Sequence, residues 1–227
     1  MKNTVEKYYE QFNYEIVLLD SGDDQFNLSK SRNLAFTEYE EDDVILINAD
    51  CILTNESINS SLDIIKDKNI VVKPFLRIFR LDKIDENILN IIINNEILEE
   101  PIKSQSNDFF PGGAFILNKD VYKKIGGFNE NILDARISSL EFCLRVASEL
   151  SLYFLSNDAY TFHHVKQEDS NQIKKCAELY NIHKYFLNNK KNIHLIDINN
   201  RNHKMDEEIN KIELIFNLNN IIYSWND

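Results

Sequence analysis

Four things are scarce in this chain of 227 residues, and each scarcity bears on what it can be. Cysteine comes first: Cys51, Cys143 and Cys176 lie far apart, form no Cys-x-x-Cys pair, and two of them sit inside apolar runs. That pattern excludes a disulfide scaffold and predicts reduced, buried thiols and a cytoplasmic protein. Long apolar runs are absent as well. Nothing approaches the roughly 18 uninterrupted apolar residues of a membrane span, so no transmembrane segment is expected, and the N-terminus shows no signal-peptide core. Positive charge is the third. Against 37 Asp and Glu stand 25 Lys and Arg, a formal net charge of −12. A surface that tracks DNA or RNA phosphates relies on clustered Lys and Arg, so no nucleic-acid partner is expected, and an anionic small ligand would need a local remedy such as a metal ion. Glycine and proline, finally, are missing altogether from about residue 172 onward, where the sequence reads as helical.

What is present is a core. The chain is 43% hydrophobic with 14 Phe and 10 Tyr, enough for one substantial domain and an appendage. Periodicity switches along it. Residues 4–12 read as helix and "YEIVLLD" (14–20) as a strand ending on Asp20. "SKSRNLAFTEY" reads as helix and "DDVILI" as a strand. "NESINSSLDIIKDK" follows as a helix capped by Thr54 or Asn55, then "NIVVKPF" as a strand closed by Pro74. Residues 82–106 read as polar and helical or irregular. A loop with Gly112 and Gly113 precedes a short strand at 114–117, a helical turn and a Gly126-Gly127 stop. "LEFCLRVASEL" is a helix, "LYFLS" a strand, and "YTFHHV" leads to a polar loop. This alternation predicts an α/β fold with the ligand above the strand ends.

The stretch "DDVILINADCIL" sharpens the expectation. A buried strand runs into Asn48-Ala49-Asp50 and then resumes as Cys51-Ile52-Leu53. A carboxylate placed there must meet a cation or a hydrogen-bond donor, unless it simply caps a turn.

The segments "YEIVLLDSGDD", "FNLSKSRNLAF", "DDVILINADCIL", "PGGAFILNKDVYKKIGGFNE", "FCLRV" and "FHHV" occur in the order and spacing of the GT-A glycosyltransferases. The chain resembles the family-2-like and galactosyltransferase-like members over about residues 13–167. The resemblance implies a GT-A mixed sheet over residues 1–170 with a helical extension at 171–227. It also implies a transferase, inverting in type, that moves a sugar from a nucleotide-diphosphate donor to a glycan or other hydroxyl acceptor. Asp50 matches the last acid of the family's Asp-x-Asp motif, which holds a Mn or Mg ion on the donor diphosphate, and Asn48 replaces the first acid. A hard cation of this kind shares its coordination with phosphates, so few protein carboxylates are needed. Asp20 matches an acid that contacts the nucleotide base. Arg32 and Asn33 match a helix start beneath the nucleotide, although Arg32 could instead pair with Asp20 or Asp23. Gly112 and Gly113 match a loop approached closely by the sugar, or form a plain turn. His163 or His164, indistinguishable by sequence, matches a histidine that completes the metal site.

Two departures from the pattern bear on activity. The family's Glu-Asp pair, whose Asp is the general base, falls on Ser138-Ser139, and a serine hydroxyl cannot serve as that base by itself. Asp134 and Glu141 are the nearby carboxylates, Glu141 matching a retained acidic position; it competes with a structural role on its helix. The family's first strand also has no counterpart before "MKNTVEKYYEQF". Either the chain is a shortened form or a fragment, or the donor pocket is built incompletely; absence of this strand would leave a gap or a sheet edge to be covered by the C-terminal segment or by a partner in a homo- or hetero-oligomer. A pseudoenzyme, serving as a binding or scaffolding subunit of a glycan-assembly complex, is the alternative to an active transferase.

Overall fold

A computed structural model describes residues 8–10, 16–17, 19–22, 27–38, 42–67, 69–81, 86–93, 103–108, 112–161 and 193–196. The protein is α/β, with two mixed sheets flanked by helices. In chain order the elements are α1 (Leu28–Glu38), β1 (Asp43–Ile47), β2 (Cys51–Leu53), α2 (Asn55–Ile64), β3 (Ile70–Lys73), β4 (Arg77–Leu81), α3 (Glu86–Ile93) and β5 (Lys103–Asp108). There follow β6 (Ala114–Asn118), α4 (Lys119–Ile125), α5 (Ala135–Glu149), β7 (Ser151–Leu155), β8 (Asp158–Thr161) and β9 (Ile193–Ile196). The larger sheet runs β1-β6-β3-β7-β9 and the smaller β2-β8-β4-β5.

The inner strands β3 and β6 of the larger sheet are buried on both faces, which matches their near-continuous apolar runs. Along β3 and β6 the alternation sends Val71, Phe115 and Leu117 to one face and Ile70, Val72 and Ile116 to the other. The first face packs α1, α4 and α5, through Phe36, Val121, Leu140 and Cys143 among others. Ile65, after α2, joins the second. Two helices begin, and one ends, for a local reason. The Thr54 hydroxyl accepts from the Ser57 amide to cap α2, and the Asn118 side chain accepts from Asp120 to cap α4. Gly126, with φ of 81°, closes α4 in the left-handed region that favours glycine.

Three times the chain leaves the larger sheet and enters the smaller one within a few residues: from β1 to β2, from β3 to β4 and from β7 to β8. Asn157 stitches these crossings. Its amide donates to the Thr54 hydroxyl (2.9 Å) and the Ser57 hydroxyl (2.5 Å), while its carbonyl accepts from Leu76 (3.0 Å). Ser57 in turn donates to Pro74 O at 2.6 Å. Parallel pairing of β4 with β8 sets Arg77 against Asp158, joined as an ion pair.

Several expectations are corrected. Residues 16, 17, 19 and 20, within the expected strand 14–20, belong to no strand, although Leu19 packs on the core. Strands β4, β5 and β8 fall where strands were not expected. The region 171–227 is not wholly helical, because Ile193–Ile196 is a strand paired in parallel with β7, with His194 stacked on Tyr153. Ile193 and Leu195, on either side of His194, carry a strand period too short to stand out from the surrounding polar sequence. The extension therefore docks on the larger sheet at this point; its apolar positions at 179–187 and 212–218 lie outside the described residues. No helix among the described residues is long and apolar enough to cross a membrane.

Candidate functional site at the seam of the two sheets

The turn at Asn48-Ala49-Asp50 is the crossing from β1 to β2, and this answers why an apolar strand runs into a carboxylate. The chain changes sheets there, and Cys51 N closes the turn on Asn48 O at 2.9 Å. Asp50 stays half-exposed, and its Oδ2 accepts from the Thr161 hydroxyl at 3.2 Å, at the end of β8. His163 and His164 follow Thr161 in sequence and lie outside the described residues.

The glycine loop lies against the same turn. Asn48 N donates to Gly113 O at 2.7 Å. Gly113 has φ of 83°, and a Cβ there would stand 2.7 Å from Phe75 Cζ, so conformation and space both require glycine. Gly112 and Gly113 are buried.

Arg32 binds the other side of Asn48. From the first half of α1 its guanidinium donates to Asn48 Oδ1 (3.0 Å) and to Ser139 Oγ (3.1 Å), lying over the rings of Phe115 and Phe128. Asp20 is not its partner: that exposed carboxylate accepts from the Gly22 amide at 3.2 Å. Asp23 lies outside the described residues.

Other expected site residues are occupied by structure. Asn33 acts as a staple, its Oδ1 accepting from Phe128 N (2.9 Å) and the Tyr122 hydroxyl, and its Nδ2 donating to Phe128 O (3.0 Å) and Glu130 Oε1 (2.7 Å). Ser139 is fully buried, and its hydroxyl donates to Ala135 O at 2.8 Å. Glu141 is buried and engaged at both oxygens by Arg145, Oε1 with Nε at 2.7 Å and Oε2 with Nη2 at 3.1 Å. The same guanidinium donates to Ile125 O and Gly127 O, which fixes the Gly126-Gly127 turn. Asp134 caps α5 by accepting from Ile137 N at 2.9 Å.

Lys73 is the residue that sequence reasoning missed. It ends β3, has no exposed surface, and donates from Nζ to Gly112 O and to Ala114 O (2.9 Å) beneath the glycine loop. It lies over Phe75 and Phe115, so it shares the Phe115 ring with Arg32. Burial pulls its ammonium down to about 7, and Arg32 down to about 10, while it pushes the thiols of Cys51 and Cys143 up to about 12. The signal was available: a lone charge inside "IVVKPF" poses the question that Asp50 poses in "DDVILINADCIL".

Among the described residues no group of three or more His, Cys, Asp or Glu is spaced to hold a metal by itself. The single carboxylate of Asp50 fits a different arrangement, in which a hard divalent ion takes most of its oxygens from ligand phosphates. A comparison with protein-family models finds no match, and no curated protein matches the chain.

Proposed function

We propose that the chain is a GT-A-type nucleotide-sugar protein, a metal-dependent glycosyltransferase that binds its donor diphosphate at the seam between the two sheets. The observation that carries this reading is the convergence on one turn. Asn48 is held by Arg32 and bonded to Gly113, and it leaves the half-exposed Asp50 two residues on at the head of the smaller sheet. In this reading Asp50 holds a Mn or Mg ion on the diphosphate, His163 or His164 adds a nitrogen, and the glycine loop lets backbone approach the sugar. The cation would supply charge neutralisation to the departing diphosphate. Asn48, already committed to Arg32, orients the turn. Donor and acceptor are a nucleotide-diphosphate sugar and a glycan or other hydroxyl.

A second reading, a binding or scaffolding subunit without turnover, is favoured by one observation. The carboxylates nearest the expected base position have structural tasks, Glu141 on Arg145 and Asp134 at the helix cap. Calorimetric titration with a panel of nucleotide diphosphates, with and without Mn, tests what the two readings share. Metal-dependent binding that is lost in Asp50→Ala supports the donor site, and equal binding by both proteins sinks it. Donor hydrolysis or transfer then separates enzyme from binding subunit.

A further inference from the structure

Lys73, beneath the glycine loop, and Arg32, beside Asn48, are buried cations that share the Phe115 ring, and their hydrogen bonds do not account for their charge. Lys73 meets two acceptors, Gly112 O and Ala114 O. A neutral amine has two N–H donors and could satisfy both; the third proton and the positive charge are surplus. Arg32 has five N–H donors and uses two of its nitrogens, on a serine hydroxyl and an amide oxygen. Among the described residues no carboxylate forms an ion pair with either cation. The groups that face Lys73 from the packed elements are Arg32 on α1, Cys51 on β2 and Cys143 on α5, together with the rings of Phe75 and Phe115. Neither thiol is an anion at neutral pH, because burial raises both. Two like charges in a low-dielectric interior, without a counter-ion, are costly in a chain that carries an acidic excess elsewhere.

We propose that Lys73 and Arg32 are the charged floor of an anion seat, in which a phosphate-type dianion held over Asn48 and the Gly112-Gly113 loop is the missing counter-charge. Lys73 is a positioning residue here: it acts through the loop and the field beneath it, not by touching the ligand. The inference rests on the donor-site reading for the identity of the anion, a diphosphate, and not for the seat itself. Its consequence is coupling. Without the anion Lys73 readily gives up its proton near neutral pH; with the anion in place the charged form is favoured, so binding takes up a proton and weakens as pH rises.

The test uses the full chain. The ε-methylene signal of Lys73, assigned with Lys73→Met, is followed by NMR through a pH titration with and without sulfate, a dianion that does not titrate near neutrality. A midpoint near neutral that moves upward with sulfate is expected. An ordinary lysine midpoint, or a depressed one that sulfate leaves unmoved, overturns the seat. Calorimetry with nucleotide-diphosphate sugars in buffers of different ionisation enthalpy forms the second arm. Expected are uptake of part of a proton, an affinity that falls roughly threefold to tenfold from about pH 7 to about pH 8.5, and loss of both effects in Lys73→Met. Binding without proton uptake overturns the seat and leaves the Asp50 reading standing. A sulfate response with no nucleotide-sugar binding supports the seat and removes the diphosphate as its ligand. Should Lys73→Met fold poorly, Lys73→Arg supplies the assignment instead, and the NMR arm still decides the matter on the wild-type chain.

Discussion

Lys73 and Asp50 both stand where the chain leaves the larger sheet, one fully buried and the other half-exposed. The difference has a measurable sign. A lysine whose folded value is pulled down to about 7 binds fewer protons folded than unfolded between there and the ordinary value of about 10.4. Stability therefore rises with pH through that window, by at most about 1.4 kcal/mol per pH unit. Above about 8.5 the unfolded chain begins to lose the protons of Cys51 and Cys143 while the folded chain keeps them, which opposes the trend. Urea denaturation from about pH 7 to about pH 8.5 should show wild type gaining stability and Lys73→Met gaining less; equal slopes would contradict an unneutralised lysine. Ser139 carries another prediction. A carboxylate introduced by Ser139→Asp would meet Arg32, whose Nη1 is 3.1 Å from the serine hydroxyl. It should pair with that guanidinium and, by neutralising it, weaken donor binding without raising turnover, whereas a gain of about a hundredfold or more in donor hydrolysis or transfer would restore residue 139 as the place of a working base.

At the scale of elements, the three crossings between sheets depend on a few side chains. Asn157 bonds the α2 cap and the β3-to-β4 crossing at once, so Asn157→Ala leaves buried hydroxyls short of a donor. It should cost about 1–3 kcal/mol by chemical denaturation. A change of only a few tenths would show that packing and the remaining bonds, Leu76 N to Asn157 O among them, hold the crossings without that side chain. A tyrosine pair does similar work at the edge of β2. Tyr8 donates to Leu53 O at 2.6 Å and the Tyr9 hydroxyl accepts from Leu53 N at 2.9 Å, so side chains stand in for a neighbouring strand. Elements with a clear apolar period were legible in the sequence. Strands at 43–47, 70–73 and 114–118 were, and so were α1, α2 and the Gly126 stop. Strands β4 and β5, "RIFRL" and "KSQSND", were not, because neither run alternates apolar with polar residues and their pairing with each other is a matter of backbone. Of the site, the Asn48-Asp50 turn, Arg32 and the glycines could be singled out from residue type and order. Lys73 escaped because its partners, Gly112 O and Ala114 O, lie 39 and 41 residues on and leave no local mark beside it. The structural tasks of Asn33 and Glu141 depend on contacts 95 residues and one helical turn away, respectively, and the longer one leaves no local trace.

For the whole molecule, the acidic balance and the buried cations belong together. A net charge of −12 repels anions at a distance, and in the proposed seat the buried Lys73 and Arg32 would offer a place where an anion gains by binding. In the proposed donor site Asp50 would add a ligand for a divalent ion, which would let a diphosphate approach a carboxylate without repulsion. The same turn thus unites the two sheets and the proposed donor site. The most direct measurement is a crystal of the full chain grown with Mn and a nucleotide diphosphate, with anomalous scattering used to find the metal. The account predicts a Mn peak bridging the Asp50 carboxylate and the diphosphate, with the phosphates over Asn48 and Gly113. Nucleotide bound elsewhere, or Mn held away from Asp50, would contradict it.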